Sequence, residues 1–252
     1  MGALAVIPAR YGSTRFPGKP LAQLAGKPVI QHVYERVAQA HRVEETVVAT
    51  DDPRIVEAVE RFGGRAVMTS PTARSGTERV AEVARAHSAQ VVVNVQGDEP
   101  LVHPEMVDQV VDFLTRHRAV PMASLMRRVE HDEALTNPNV VKVVVDRDGF
   151  ALYFSRAPIP FVSGRPTADE PLAYQHVGMY GYQRQFVMQF PSLPPTPLEQ
   201  LEQLEQLRAL EHGYRIKLLE TTHVTIGVDT PEDLRRVEAL LAGSQATLNV
   251  SP

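Results

Sequence analysis

The sequence of 252 residues contains no cysteine. This absence excludes a disulfide scaffold, a thiolate zinc site, an iron–sulfur cluster and a cysteine nucleophile. No apolar run approaches the ~20 residues that a membrane-spanning helix needs. The start of the sequence also lacks the basic region of a secretory signal peptide. We therefore expect a cytoplasmic protein with no membrane partner.

Positive charge is scarce as well, because 26 Lys and Arg residues stand against 30 Asp and Glu residues and give a formal net charge of −4. Non-specific binding to DNA or RNA needs a surplus of cations, so we expect no nucleic-acid partner. The pattern G-x-G occurs nowhere, which excludes a dinucleotide-binding fingerprint. A hydrophobic fraction of 43% is typical of a folded globular chain with a substantial core.

The first half of the chain alternates strand and helix patterns, whereas the second half is richer in strands and loops. Strand patterns lie at 3–8, 46–50, 65–69, 91–95, 140–145, 151–155, 177–182, 216–221 and 225–228. Helix patterns lie at 28–40, 77–86, 104–115, 198–213 and 231–241. A further helix is predicted from Pro53 onward, with Asp52 as its cap and the proline in its first turn. Repeated β-α units favour right-handed crossovers and a mostly parallel sheet. The sequence thus predicts an α/β fold.

Leucines recur every third residue from Leu198 to Leu210. A step of three residues turns roughly 300° on an α-helix, so this row winds around the helix instead of holding one face. One interpretation is a single buried amphipathic helix. We favour the alternative, a helix covered on one side by its own domain and on the other by a second subunit.

Residues 146–148 form an Asp-x-Asp sequence, which binds metal and nucleotide in glycosyltransferases. Gly149 follows directly and strand patterns flank both sides. We therefore predict a hairpin turn here in preference to a metal site.

The segment 8–20, after the first strand pattern, carries three cations among glycines and prolines: Arg10, Arg15 and Lys19. Ligands bind at the carboxyl ends of strands in open α/β sheets. The paired N–H donors of arginine and the compact charge of lysine suit a polyphosphate. We therefore favour phosphate binding over a solvated basic loop with no ligand. The segment is not a Walker A loop, because its glycines are one residue too far apart and Pro20 replaces the metal-binding Ser or Thr.

Two acidic residues follow strand patterns far apart in the sequence. Asp98 comes after the fourth strand pattern, and Asp229 joins the last strand pattern to the last helix. Because Thr230 and Asp233 already supply a helix cap, we predict another role for Asp229. Two carboxylates beside a cationic phosphate loop describe a Mg²⁺–nucleotide site, in which water and phosphate oxygens complete the coordination.

The remaining polar candidates are weaker signals. Ser75, Thr77 and Arg79 open a helix, and a plain cap and a pocket lining are equally good interpretations. Arg156, His176, Tyr180 and Glu199 lie among apolar residues, where a structural role is the default for each one alone.

Nine runs, in order, are characteristic of one known family. They lie at 7–11 (IPARY), 13–21 (STRFPGKPL), 48–51 (VATD), 75–79 (SGTER), 93–100 (VNVQGDEP), 137–139 (NPN), 151–156 (ALYFSR), 178–182 (GMYGY) and 227–234 (GVDTPEDL). Together they resemble the 3-deoxy-manno-octulosonate cytidylyltransferases, the CMP-KDO synthetase family.

The resemblance implies a reaction in which CMP passes from CTP to KDO and pyrophosphate is released. It implies a Rossmann-like nucleotidyltransferase domain over 1–242, with a mixed, mostly parallel sheet. A β-rich dimerisation and sugar-binding insert would lie at about 137–213, and 243–252 would be a flexible tail. It further implies Mg²⁺ as cofactor, a homodimer, and a place in lipopolysaccharide synthesis.

The resemblance also implies roles for individual residues. The expected catalytic residues are Arg10, Lys19, Asp98 and Asp229, of which Asp98 and Asp229 would hold the metal. The expected nucleotide-binding residues are Ala9, Arg10, Arg15, Lys19, Ser75, Thr77 and Arg79. The expected sugar-binding residues are Gln96, Arg156, His176, Tyr180 and Glu199. Among these, Arg156 could bind the KDO carboxylate through two parallel N–H donors.

Two other functions remain open at this point. One is a different cytidylyl or sugar nucleotidyltransferase, such as a CMP-sialate synthetase or a sugar-1-phosphate enzyme. The other is a catalytically silent nucleotide-binding regulator on the same fold, against which the presence of Lys19, Asp98 and Asp229 argues.

Overall fold

A computed structural model describes residues 2–12, 16–129, 132–163 and 173–248, without the side chains of 132–133 and 243–248. The strands are β1 (Ala3–Ala9), β2 (Gln23–Leu24), β3 (Lys27–Pro28), β4 (Val43–Thr50), β5 (Ala66–Met68), β6 (Val91–Asn94), β7 (Met122–Arg128), β8 (Lys142–Val145), β9 (Ala151–Ser155), β10 (Tyr174–Gln183) and β11 (Ile216–Glu220). The helices are α1 (Val29–Val37), α2 (Pro53–Arg61), α3 (Gly76–Arg85), α4 (Pro104–Arg116), α5 (Asp132–Thr136), α6 (Arg184–Gln189), α7 (Pro197–Glu202), α8 (Gln206–Glu211) and α9 (Pro231–Leu248).

The main sheet is mixed and mostly parallel, as predicted. Its strand order is β11-β7-β10-β6-β1-β4-β5, and β8 and β9 extend it from one end of β10. Strand β10 runs antiparallel to both β6 and β7, whereas the β6-β1-β4-β5 and β7-β11 pairs are parallel. The segment 137–213, expected to form an insert, thus contributes β10 to the middle of the sheet.

Helices cover both faces of this sheet. Alternate residues of β1 point to opposite sides, with Ile7 in one apolar cluster and Val6 in the other. The first cluster includes residues of α1, α2 and α4, and the second includes residues of α3, α6 and α8. Because β1 is buried on both faces, its nearly continuous apolar sequence is the pattern expected of a central parallel strand.

The leucine-rich segment forms two short helices, so the prediction of one helix over 198–213 is wrong. Gln203 adopts a left-handed conformation with φ of 54° and ends α7, and α8 begins three residues later. Leu204 and Leu207 are buried, whereas Leu201 is 80% exposed. The row of leucines therefore spans two helices and the break between them.

Three further differences concern strands and the last helix. Residues 225–228 form no strand, because Val228 N–H donates to the carbonyl of Asp98 in a loop and not to a strand ladder. Strand β7 was not predicted, since its sequence, MASLMRR, has none of the β-branched residues of a typical strand. Helix α9 continues past residue 241 to Leu248 and so includes part of the predicted tail.

The Asp-x-Asp sequence lies in a hairpin turn, as predicted. Strands β8 and β9 pair antiparallel on either side, and Gly149 has a φ of 74°. The carboxylate of Asp146 accepts hydrogen bonds from the backbone N–H groups of Asp148 and Phe150, and it pairs with Arg215. No helix in the described part of the chain is long and apolar enough to cross a membrane.

Candidate active site

A cavity of about 710 Å³ opens at the carboxyl ends of β1, β4 and β6. This volume lies within the range of small-molecule sites in proteins. The lining residues lie at 8–12, 19–20, 51–52, 71, 73–76, 79, 96–98 and 229. They include eight of the predicted site residues: Ala9, Arg10, Lys19, Ser75, Arg79, Gln96, Asp98 and Asp229. The predicted residue Arg15 lies outside the described residues.

Asp98 and Asp229 both pair with the side-chain ammonium of Lys19 in this cavity. Lys19 Nζ donates to Asp98 Oδ2 at 2.6 Å and to Asp229 Oδ1 at 3.1 Å. The Lys19 side chain is 13% exposed, whereas the two aspartate side chains are 32% and 46% exposed. The structure thus brings together two acids from distant parts of the sequence at a point where a positive charge is bound.

Backbone contacts hold the loops that carry the two acids. Val228 N–H donates to the carbonyl of Asp98 at 2.8 Å, so the two loops run side by side. A Cβ atom at Gly97 would lie 2.9 Å from the carbonyl oxygen of Pro8. Only glycine therefore lets the Asp98 loop approach the end of β1 this closely.

The predicted helix cap after Asp229 is present. Asp233 Oδ2 accepts from Thr230 N and Oγ1 and from Asp229 N, and Thr230 Oγ1 accepts from Asp233 N at 3.2 Å. Burial alone would raise the pKa of Asp233, but these hydrogen bonds outweigh it and lower the pKa. The cap fixes the backbone of Asp229 at the mouth of the cavity.

The start of α3 forms another wall of the cavity. Ser75 caps this helix by accepting from Glu78 N–H, and it also lines the cavity. Arg79 is buried and pairs with Asp51 at 2.7 Å while donating to Thr69 Oγ1. Ser75 therefore both caps α3 and lines the cavity.

Thr77 does not line the cavity. Its buried hydroxyl donates to Glu205 Oε2 at 2.5 Å, and it also contacts the hydroxyl of Tyr182. Tyr182 also contacts Asn94, whose Oδ1 lies 3.5 Å from Gln96 Nε2 in the cavity wall. A buried polar chain therefore leads from the cavity to Glu205.

Two of the predicted sugar-binding residues lie in the sheet beside this chain. His176 Nε2 and Ser124 Oγ form a hydrogen bond of 2.9 Å. Burial lowers the pKa of His176 to about 3, so its ring is neutral. Tyr180 lies between the rings of His176 and Tyr182, with centroid distances of 5.3 and 6.2 Å. Neither residue lines the cavity itself.

The other two predicted sugar-binding residues are engaged with protein groups. Arg156 donates from its guanidinium to the backbone carbonyls of Glu202, Pro138 and Gln203. Glu199 completes the capping box of α7 and pairs with Arg208. The structure therefore gives Arg156 and Glu199 local structural contacts and does not bring them to the cavity.

Glu99 adds a third carboxyl beside the aspartate pair. Burial raises the pKa of Glu99 to about 7, the charges of Asp98 and Asp229 add to the rise, and a hydrogen bond from Thr225 opposes it. Near neutral pH this group is partly protonated, so the loop carries less negative charge than its sequence shows.

Sequence reasoning missed several residues of the cavity wall. Asp51 and Asp52 follow β4 directly, and Tyr11 and Arg74 line the same opening. The position of Asp51 at the carboxyl end of a predicted parallel strand was a usable signal. Asp52 was interpreted only as a helix cap, a role it does have, since it accepts from Arg54 N–H.

Comparisons with known proteins identify the family. A family model described as cytidylyltransferase matches residues 4–217. A 3-deoxy-manno-octulosonate cytidylyltransferase of Geobacter sulfurreducens (strain ATCC 51573 / DSM 12127 / PCA) is 54% identical over 94% of this chain and 98% of its own. The enzyme of that name from Solibacter usitatus (strain Ellin6076) is 53% identical over 96% of this chain and 95% of its own.

Solved structures agree with this result. The structure of CMP:2-keto-3-deoxy-manno-octonic acid synthetase complexed with CTP matches with a TM-score of 0.91 and 45% identity, covering 97% of this chain and all of that one. A 4-diphosphocytidyl-2C-methyl-D-erythritol synthase from Anaerococcus prevotii DSM 20548, at 16% identity and a TM-score of 0.62, shares the fold, with 96% of both chains covered. The chain is therefore a member of the cytidylyltransferase family and, within it, of the 3-deoxy-manno-octulosonate cytidylyltransferases.

Proposed function

We propose that this protein transfers CMP from CTP to the anomeric hydroxyl of KDO and releases pyrophosphate. The observation that carries the proposal is the meeting of Asp98 and Asp229 at Lys19 in a cavity large enough for a nucleotide. Relatives named 3-deoxy-manno-octulosonate cytidylyltransferase, which are about half identical over nearly the whole chain, support the same reaction.

The nucleotide would lie against the loop that follows β1. Arg10 and Lys19 supply positive charge for the triphosphate, with Arg15 as a third cation of the same loop. Ser75 and Arg79, on the wall formed by the start of α3, would bound the nucleoside end of the cavity. Thr77 would act behind this wall, through its contacts with Tyr182 and Glu205.

Cytidylyltransferases generally use a divalent metal ion, and we propose Mg²⁺ for this site. The residues fit such an ion, because two carboxylates already converge on one cationic nitrogen and both remain open to the cavity. Asp98 and Asp229 would hold it, with water and phosphate oxygens as further ligands. When bound, the ion would neutralise charge that develops on the phosphate oxygens.

The acceptor sugar would lie on the Gln96 side of the cavity. Gln96 begins the buried polar chain that continues through Asn94 and Tyr182, and Tyr180 and His176 extend it by ring contacts. Gln96 lines the cavity and would hydrogen-bond the sugar hydroxyls, and the groups behind it, including Tyr180 and the buried His176, would hold this wall in place. The contacts of Arg156 and Glu199 with protein groups favour a structural role for both residues.

The protein's part in the reaction is positioning and charge neutralisation. The anomeric hydroxyl must approach the α-phosphorus opposite the departing pyrophosphate, and this step needs little covalent chemistry from the protein. The Lys19 ammonium and the Arg10 guanidinium would stabilise charge on the phosphate oxygens as the bond breaks. We assign no general base.

We further propose a homodimer that works in the cytoplasm and supplies an activated sugar for lipopolysaccharide synthesis. Large apolar residues face solvent in the single chain: Leu152 is 62% exposed, Phe161 90% and Leu201 80%. Strand β9 and helix α7 are neighbours, since Ser155 donates to Glu202 at 2.5 Å. We propose that the exposed apolar side chains of these neighbouring elements, Leu152 of β9 and Leu201 of α7, lie in the contact between subunits.

The experiment that tests the function is a pyrophosphate-release assay with a matrix of substrates. CTP, UTP, GTP and ATP are each combined with KDO, N-acetylneuraminate or a sugar 1-phosphate in the presence of Mg²⁺. We expect release with CTP and KDO at a rate at least 100-fold above every other pair. Equal release with N-acetylneuraminate would support the CMP-sialate synthetase alternative, and CTP binding with no release from any pair would support the regulator.

A further inference from the structure

Among the residues that the structure describes, one cluster outside the cavity brings three metal-ligating side chains together: His103, Glu105 and His223. One ligand atom of each residue lies within 4.8 Å of those of the other two. His223 Nε2 is 3.0 Å from Glu105 Oε2, and the rings of His103 and His223 are stacked with centroids 3.9 Å apart. None of the three lines the cavity.

The backbones that carry these ligands are held by contacts of their own. His103 is the N-cap of α4, and Glu105 lies in the first turn of that helix. His223 lies just beyond β11, where its N–H donates to Thr221 Oγ1. Gln109 of α4 donates to the carbonyl of Glu220, which ties the helix to this segment. The three ligands therefore come from two segments already fixed against each other.

We propose that His103, Glu105 and His223 form a second metal site, for a divalent cation of the zinc class. Two imidazoles and one carboxylate form a ligand set that zinc accepts, with water in a fourth position, whereas Mg²⁺ prefers oxygen ligands alone. The Glu105 side chain is 74% exposed and that of His223 is 30% exposed, so an ion can reach the cluster from solvent.

Binding requires a small rearrangement of the rings. The rings are parallel to within 8°, and an imidazole lone pair lies in the plane of its ring, so one ring must rotate before both point at one ion. This rotation is about the χ2 torsion, whose energy minima are broad in histidine. His103 Nδ1 accepts from Glu105 N–H at 3.4 Å, a long and therefore weak bond that is lost when the ring turns.

Electrostatics favour a neutral ring for His103. Burial, the neighbouring His223 and the charge of Arg36 lower the pKa of His103, and the charge of Glu105 opposes this shift only in part. A neutral ring keeps a lone pair available for a metal at neutral pH. Arg36 also repels a bound cation, and the carboxylate of Glu105 offsets this repulsion.

The cluster lies where the two segments that carry Asp98 and Asp229 come together. His103 ends the loop that carries Asp98, and His223 begins the segment that leads to Asp229. These two loops already touch through Val228 and Asp98 and through Thr225 and Glu99. An ion bound to both ends would clamp together the two loops that present the paired acids.

The test measures Zn²⁺ binding by isothermal titration calorimetry on untagged full-length protein. The background is the double variant Asp98→Asn/Asp229→Asn, so that the cavity acids do not contribute. We expect one equivalent of Zn²⁺ to bind, and His103→Gln or His223→Gln to weaken that binding at least tenfold. The matched control His117→Gln, at an exposed histidine at the opposite end of α4 from His103, should bind like the background.

Glu105→Gln supplies a variant that should not affect folding, since its side chain is largely exposed. We expect it to weaken Zn²⁺ binding by about tenfold, and to reduce the rise in Tm that Zn²⁺ produces in the background protein. The proposal is overturned if the background protein binds no Zn²⁺, or if all three cluster variants bind it with unchanged stoichiometry and affinity.

Discussion

The paired aspartates show what single residues reveal in this sequence. Asp98 and Asp229 were singled out because each follows a strand pattern, and Asp229 also because it is not needed as a cap. The structure places both on the ammonium of Lys19. Arg156 and Glu199 are weak candidates on their sequence context, and only the resemblance implies a sugar-binding role for them; both have partners within the protein. A local pattern thus located the loop acids, but it could not show which distant groups engage an arginine or a glutamate.

The cap that positions Asp229 gives a pH-dependent prediction at the residue scale. The folded-state pKa of Asp233 lies below its usual value of 3.8, so the carboxylate stabilises the fold above pH ~4 and loses this effect as the pH falls through the folded-state pKa. We expect Asp233→Asn to lower the free energy of unfolding by about 1 kcal/mol at pH 7. Urea unfolding of both proteins at pH 7 and at pH 3 measures the difference.

At pH 3 the gap between Asp233→Asn and the wild type should shrink. Glu232→Gln is the matched control, because Glu232 lies in the same first turn of α9 and is exposed. It should change the unfolding free energy by only a few tenths of a kcal/mol. A gap that is constant or larger at pH 3 would show that the Asp233 carboxylate is not what stabilises the cap.

At the scale of elements, prediction succeeded where local periodicity and capping agree. Helix α2 has Asp52 as its cap and Pro53 in its first turn, and both were read correctly from the sequence. Strand β7 could not be recognised, because its formation depends on β10 and β11 on either side and not on its own residues. The break at Gln203 was missed because no glycine or proline marks it.

That break yields a prediction about stability. Gln203 is a non-glycine residue in the left-handed conformation, which costs about 1 kcal/mol relative to glycine. We expect Gln203→Gly to leave the Tm unchanged or to raise it by a few degrees, the gain being reduced by loss of its side-chain hydrogen bond to the carbonyl of Gln200. Differential scanning calorimetry measures the Tm of each variant.

Gln200→Gly is the matched control, because Gln200 is exposed within α7 and has helical geometry. Glycine inside a helix costs roughly 0.5–1 kcal/mol, so this variant should lower the Tm. If the two glycine variants lowered the Tm equally, the left-handed turn between α7 and α8 would not describe the protein in solution.

At the scale of the whole molecule, the alternation of strands and helices correctly predicted a mostly parallel α/β sheet. It could not predict that β10 would enter the middle of that sheet antiparallel between β6 and β7, because strand order depends on long-range pairing. This entry also brings Tyr182 close to Thr77 and Asn94. The polar chain beside the cavity was therefore beyond the reach of sequence patterns.

The proposed dimer is tested at the same scale. The chain has a mass of 27.9 kDa, and light scattering at micromolar concentration should give twice that value. Leu201→Asp should shift the mass toward that of one chain, because a charge would have to be buried in the subunit contact. Leu240→Asp, at an exposed leucine of α9, is the control and should leave the mass unchanged. A single-chain mass for the wild type would contradict the dimer.

The most direct test of the central claim is Mg²⁺-dependent pyrophosphate release from CTP and KDO by Asp98→Asn and by Asp229→Asn. Removing either carboxylate removes one of the two groups proposed to hold the ion, so we predict that kcat falls by roughly 100-fold or more in each variant. Asp146→Asn, in the hairpin turn, serves as the control and should keep the wild-type kcat. Retention of most activity by Asp98→Asn and Asp229→Asn at saturating Mg²⁺ would contradict the account.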